Sequence, residues 1–244
     1  MAASHASEYS EYAESRAQPL TTNIDQEAIE NDVVGKLAPI LLAWHRFYAI
    51  VLKRTIDIVA AGLALLLLSL VLAMVAVAVR LDSPGPALYR QKRVGRDGRT
   101  FTIYKFRTML HDAGPAVRYF VSPEGKLRHK VENDPRITRV GALLRRSSID
   151  ELPQLINILR GDMSLIGPRP ELVEIVRTYQ PWQHRRHAVR PGLTGWWQVC
   201  GRNDRPMEEY TGLDLYYIDH LSPGLDLKIL FRTIKVVFSG KGAV

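Results

Sequence analysis

The chain has 244 residues, a formal net charge of +8 and one cysteine, so it can bury one sizeable core but cannot form an internal disulfide. A disulfide-stapled secreted scaffold is thereby excluded, and Cys200 is expected to be a buried structural thiol. The basic balance suits a polyanion, whether nucleic acid, an anionic leaflet or a phosphorylated substrate, and does not choose among them.

Residues 1–36 hold seven acids against Arg16 and Lys36, with many Ser, Ala and Gln, so the basic excess lies in the remainder. Such a stretch buries too little apolar surface to offset ordering entropy and is expected to be a disordered acidic tail. It lacks the basic start, apolar run and small-residue cleavage site of a secretory signal. Residues 37–52 turn apolar, with Trp44 and Tyr48 suited to a bilayer interface; a core helix explains them equally well. Residues 58–79 then run for 22 positions without a charge, about 33 Å as a helix, which matches the hydrocarbon core of a bilayer. Residues 53–80 are accordingly expected to be a membrane-inserted helix. Basic residues flank it on both sides (Lys53 and Arg54 before; Arg80, Arg90, Lys92 and Arg93 after), which favours keeping both ends on the cytoplasmic face. Ser69 is the only polar residue near its middle.

Beyond residue 80 the chain reads as one globular domain over 81–244. Residues 87–93 and 100–106 flank Gly95-Arg96-Asp97-Gly98 as a β-hairpin, since Asp-Gly supplies the positive φ of a tight turn. Residues 113–133 read as short charged pieces of possible helix, 141–160 as helix with an internal boundary, 171–186 as another helix, and 225–238 as a basic amphipathic helix suited to a membrane surface or the domain core.

The stretch RRSSIDELPQLINIL (residues 145–159) carries the chemistry. Leu152, Leu155, Ile156 and Leu159 recur at helical spacing, and Pro153 is cheapest in a first turn, so a helix should start near 148–150, with Ser148 and Glu151 as a capping box in one register. Asp150 and Glu151 would then sit at a helix N-terminus, which favours ionised carboxylates and attracts phosphate. Capping alone explains many Asp-Glu pairs, but the surroundings add arginines held beside rigid backbone. Arg145 and Arg146 precede the pair, Arg169 stands in Gly167-Pro168-Arg169-Pro170, and Arg190 precedes Pro191-Gly192. Guanidinium forks bind phosphate oxygens in pairs. Lys105 and Arg107 alternate on a strand and would share a face. Together these describe a diphosphate site, in which an aspartyl nucleophile or a pair of Mg²⁺ ligands fits.

Read together, these segments resemble the monotopic phosphoglycosyl transferases, bacterial sugar transferases that act on undecaprenyl (polyprenyl) phosphate. They occur in family order over residues 53–238: KRTIDI, QKRVGRDGRTFTIYKFRTM, DPRITRVGALLRRSSIDELPQLINILRGDMSLIGPRPE, VRPGLTGWWQVCGRN and DLYYIDHLSPGLDLKIL. The resemblance implies an α+β fold, a mainly helical catalytic domain with a small β-hairpin and an N-terminal re-entrant membrane helix. It implies a UDP-sugar donor, a polyprenyl phosphate acceptor, release of UMP, and the inner membrane with the catalytic domain on the cytoplasmic face, as the first membrane step of exopolysaccharide, O-antigen or related glycan assembly. It casts Asp150 as nucleophile, Glu151 as its dyad partner, both as Mg²⁺ ligands, and Lys105, Arg107, Arg145, Arg169 and Arg190 as phosphate ligands. One departure stands out: the family breaks its membrane helix at a Ser-Pro pair, where this chain has Ser69-Leu70, so the break falls to Ser69 bonding back to its own helix.

Two other readings compete. A membrane-anchored basic binding module explains the charge and the apolar helix but not two acids amid arginines, which would repel a polyanion; no nucleic-acid partner is therefore expected. A hydrolase with water as acceptor shares the aspartyl chemistry but has no use for a bilayer. The sequence leaves the sugar and the oligomeric state open. Trp196 and Trp197 are expected in the core.

Overall fold

The computed structural model describes residues 47–111, 120–121, 127–128, 134–200 and 207–239. The expected acidic tail and most of the 37–52 segment lie outside these residues.

A π-helical turn, Tyr48–Leu52, runs directly into α1, Lys53–Asp82, and the combined helix is long and apolar enough to cross a membrane. Ala61, Ala64, Leu65, Leu72, Val75, Ala76 and Val79 recur at three- and four-residue spacing and pack on the domain. The opposite face presents Val59, Leu63, Leu66, Leu67, Leu70, Met74 and Val77 outward. Ser69 Oγ does bond back, donating to the Leu66 carbonyl at 2.9 Å. It nevertheless does not end the helix, which continues through it, because Leu70 keeps the N–H that a proline would remove. Tyr48 is also not an interface aromatic: it is buried, and its hydroxyl donates to Asp226 at 2.5 Å.

The hairpin forms as the sequence dictates. Strands β1 (Leu88–Val94) and β2 (Thr100–Phe106) pair antiparallel from Leu88↔Phe106 to Val94↔Thr100, and Asp97 and Gly98 carry the positive φ of the turn. Short pairs follow at β3 (Phe120–Val121) and β4 (Leu127–Arg128), so the described part of 113–133 is extended rather than helical. Next come α2 (Arg139–Ser147), a 3₁₀ turn (Ile149–Glu151) and α3 (Gln154–Arg160). The buried face of α3 is Leu155 and Ile158, with Leu159 partly exposed.

Strand β5 (Ser164–Ile166) lies parallel to β7 (Gly192–Thr194), while β6 (Glu171–Leu172) adds to β1 and gives the order β2-β1-β6. The expected helix over 171–186 divides instead into β6, one short helix, α4 (Val173–Val176), and a 3₁₀ segment, Pro181–Ala188, because Pro181 cannot continue an α-helix. Three further helices follow among the described residues: α5 (Trp196–Cys200), α6 (Met207–Asp219) and α7 (Pro223–Ser239). The expected C-terminal amphipathic helix is thus present, with Ile229 fully buried and Leu227, Leu230, Phe231 and Ile234 outward.

One apolar cluster joins Ala61 of α1 to Ile103, Leu155, Ile158 and Met163. Another joins Val79 to Phe106 and Leu144, and a third gathers Ile166, Trp196, Leu213, Tyr217 and Ile229. Trp196 is therefore a core residue, whereas Cys200 is only half-buried, with Arg232 donating to its Sγ at 3.3 Å.

Both ends of α1 are tied to the domain. At its start, Lys53 pairs with Asp226 at 2.6 Å, Arg54 donates to the carbonyls of Ile158 and Leu159 at the end of α3, and buried Asp57 accepts from the Leu165 N–H at 2.9 Å. At its end, Arg107 donates to the carbonyls of Val79, Ser83, Pro84 and Pro86 and to Ser83 Oγ.

Candidate active site

The site begins where α2 stops. Ser148 adopts the left-handed conformation (φ 58°) and its N–H closes onto the carbonyls of Leu144 and Arg145. The chain then turns through Ile149–Glu151 before Pro153 leads into α3. Asp150 and Glu151 thus sit on a short turn between two helices; the helix expected to start near 148–150 starts only at Gln154, and Ser148 makes no side-chain cap. With only seven residues in α3, side chains rather than a helix dipole set the local field.

Three cations supply it. Lys105, next to the end of β2, places its ammonium 2.7 Å from Glu151 Oε1. Arg169, on the loop between β5 and β6, brings Nη2 to 3.0 Å from the same oxygen. Arg145, in the last turn of α2, donates from Nε to Thr108 Oγ1 at 2.9 Å and lies close enough to feel the charge of Asp150.

The two carboxylates are consequently unlike. Burial pushes Glu151 up, but Lys105 and then Arg169 outweigh it and hold its carboxyl well below the usual range. Asp150 is raised by burial and by the neighbouring Glu151 charge, and Lys105, Arg145 and Arg169 only partly offset this. Lys105 is itself lowered by burial, with Glu151 pulling the other way. Glu151 is therefore fixed as an anion, while Asp150 accepts no side-chain hydrogen bond among the described residues and keeps both oxygens unclaimed. Glu151 spends Oε1 on both cations, leaving Oε2. Two adjacent carboxylates with unclaimed oxygens fit a hard divalent cation that completes its shell with substrate oxygens. The described residues contain no group of three or more His, Cys, Asp or Glu arranged to hold a metal by themselves.

Two expected members stand elsewhere. All the N–H groups of Arg107 are engaged at the end of α1, because Arg107 lies just past the end of β2 and no longer shares the direction of Lys105. Arg190 donates from Nε to the Gly161 carbonyl at 3.0 Å, and its charged neighbours are Arg54, Arg96, Asp57 and Asp97 rather than the dyad.

The structure adds supports that hydrophobic periodicity passes over. Asn157 is fully buried in α3, accepting from the Tyr104 N–H at 3.1 Å and donating to the Thr102 carbonyl at 2.7 Å. It stitches the helix that follows the dyad to the strand that leads to Lys105. A lone polar residue inside an apolar helical stripe was the available signal. The parallel β5–β7 pair sets the Arg169 loop against the Pro191-Gly192 turn so closely that a Cβ at Gly192 would lie 2.1 Å from the Gly167 nitrogen, which explains the glycine there.

Residues 48–240 match the family model described as bacterial sugar transferase. The galactosyl transferase CpsE of Streptococcus agalactiae is 38% identical over 240 residues, which cover 93% of this chain and 53% of that protein. The UDP-glucose:undecaprenyl-phosphate glucose-1-phosphate transferase of Escherichia coli is 43% identical over 200 residues, covering 79% of this chain and 41% of that protein. The uncharacterised sugar transferase EpsL of Bacillus subtilis is 42% identical over 192 residues, 79% of this chain and 90% of the relative. The chain thus spans about half the length of some curated relatives and nearly all of others. With most of its length matched by the family model and its dyad, loops and apolar helix lying within the matched region, this chain belongs to the bacterial sugar transferase family.

Proposed function

We propose that the protein transfers a sugar 1-phosphate from a UDP-sugar to undecaprenyl or a related polyprenyl phosphate at the cytoplasmic face of the inner membrane, as an early step of exopolysaccharide or related glycan assembly. Relatives named for undecaprenyl-phosphate sugar-phosphate transfer, from Escherichia coli and Aeromonas hydrophila, support the donor and acceptor classes. The observation that carries the chemistry is the asymmetry of the dyad: an unclaimed, half-buried Asp150 carboxylate beside a Glu151 locked as an anion by Lys105 and Arg169.

In the first step an Asp150 oxygen attacks the β-phosphorus of the donor. The bond from that phosphorus to the oxygen bridging the two phosphates breaks, and UMP departs with the electron pair. The sugar phosphate remains on Asp150 as an acyl phosphate. In the second step a phosphate oxygen of the polyprenyl phosphate attacks the same phosphorus, which returns Asp150 to its carboxylate and releases the polyprenyl diphosphate sugar. Lys105, Arg145 and Arg169 stabilise the charge that builds on the phosphoryl oxygens. Asp150 and Glu151 would hold Mg²⁺, which when bound neutralises diphosphate charge and orients the donor. Helix α1 brings the site to the lipid. Its two ends and one face are bonded to the catalytic domain, and its outward apolar face is the part that meets the bilayer.

The test uses the full chain in nanodiscs with UDP-sugars labelled at the β-phosphorus, Mg²⁺ and no acceptor. The wild type should retain label on protein and discharge it when polyprenyl phosphate is added, and Asp150→Asn should do neither. A wild type that turns over without ever carrying label would reject the covalent route.

A further inference from the structure

Arg169 stands between two prolines, and the way its loop is held is unusual in chemistry. Pro168 and Pro170 have no N–H, so the loop can be gripped mainly through carbonyl oxygens. Two of them are each taken by a guanidinium from another part of the fold. Arg186, almost fully buried on the Pro181–Ala188 segment, donates from Nη2 to the Arg169 carbonyl at 2.9 Å. Arg93, on β1, donates from Nη1 to the Pro170 carbonyl at 3.1 Å and from Nη2 to Gln91 at 2.7 Å. Arg186 is in turn fixed by Asp214 of α6, at 2.5 Å with both side chains nearly inaccessible, and by the hydroxyl of Tyr179.

Packing alone does not hold the loop. A small pocket, lined by Arg169 and Arg186 together with Val94, Pro168, Pro170 and His187, lies against the loop. A buried ion pair is also poor value as a stabiliser, because desolvation consumes most of its attraction, and an apolar pair of similar shape serves as well. Here the pair does something an apolar pair does not: it presents a fixed donor to the backbone of the residue that grips Glu151.

We infer that Arg186, anchored by Asp214 and assisted by Arg93, is a positioning residue that sets Arg169 against Glu151. The inference rests on the proposed role of Arg169 in the transfer reaction. Lysine at 186 keeps the charge facing Asp214 but replaces the planar fork with one shorter ammonium, which does not span Asp214, Tyr179 and the Arg169 carbonyl together.

The experiment is a double-mutant cycle with Arg186→Lys, Arg169→Met and the two combined, assayed with UDP-glucose and UDP-galactose in nanodiscs. Arg186→Lys should lower kcat/KM by about tenfold, and Arg169→Met by about a hundredfold, as expected for misplacing or removing a transition-state contact. The double variant should be no slower than Arg169→Met alone, since the support has nothing left to position. Multiplied effects, or an Arg186→Lys enzyme at wild-type rate, would overturn the inference. Amide exchange over residues 164–172 gives a readout independent of turnover. Arg186→Lys should accelerate exchange there while leaving α3 and α7 unchanged, and unaltered or uniformly faster exchange would sink the idea even if the donor assay showed no activity in any variant.

Discussion

Replacing Arg107 with methionine separates two roles for one arginine. As a phosphate ligand it would matter to the donor; as the structure has it, it matters to helix α1. Its guanidinium serves the carbonyls of Val79, Ser83, Pro84 and Pro86 and the Ser83 hydroxyl. Pro84 and Pro86 are exposed, so water can replace the arginine at their carbonyls. Val79 and Ser83 are buried, and their carbonyls would be left without that donor. At about 1–3 kcal/mol for each orphaned buried acceptor, the loss centres near 4 kcal/mol. For a chain of this length that lowers Tm by about 8–16 °C. Scanning fluorimetry in nanodiscs reads the shift, and donor kinetics well below the melting range should give a KM within about twofold of wild type, because the dyad is untouched. Arg107→Lys, with three donors, should fall between. An Arg107→Met protein that melts with the wild type but shows a KM raised tenfold or more would refute the helix-capping argument and restore the phosphate role.

Three other substitutions probe the rest of the frame. Lys105→Met removes a charge that lowers the Asp150 pKa, so a carboxyl already raised by burial and by Glu151 rises further. Because the nucleophile must be ionised, the acid limb of the kcat/KM profile should move to higher pH, and a limb that stays put or moves down would contradict the assignment. Asp226→Asn weakens a buried acceptor shared by Tyr48, Lys53 and Tyr217 and should destabilise the fold by about 3 kcal/mol, read as a lower Tm with donor KM preserved. Gly141→Ala forces a Cβ to within 2.2 Å of the Thr108 carbonyl oxygen, so α2 must move away from the chain after β2. That shift breaks the Arg145–Thr108 bond, and kcat should fall with only modest loss of Tm; unchanged kcat would show that Arg145 does not need Thr108.

Much of the local structure was written in short-range chemistry. Asp97-Gly98 specified the hairpin turn because few other pairs tolerate its positive φ. An uncharged run of 22 residues specified α1, and Pro153 marked the boundary between α2 and α3. Asp150, Glu151, Arg145 and Arg169 were legible because two acids amid arginines have few stable solutions other than pairing or binding. What misled was direction. Alternation along a strand put Lys105 and Arg107 on one face, but the strand ends between them, and one residue turns to the dyad while the other caps a helix. Arg190 carried the same local signature as Arg169, yet only Arg169 reaches Glu151.

The sequence alone therefore determined the long apolar helix, the hairpin and which residue types gather around a carboxylate pair, since these follow from periodicity, turn chemistry and charge within a few neighbouring positions. Only the tertiary structure decided which arginines meet that pair. Arg54, Arg107, Arg186 and Arg190 each end on backbone carbonyls that lie between 17 and 105 residues away, and no local rule counts acceptors that far along a chain. A guanidinium goes where buried carbonyls lack donors, and that demand exists only once the helices and strands have packed.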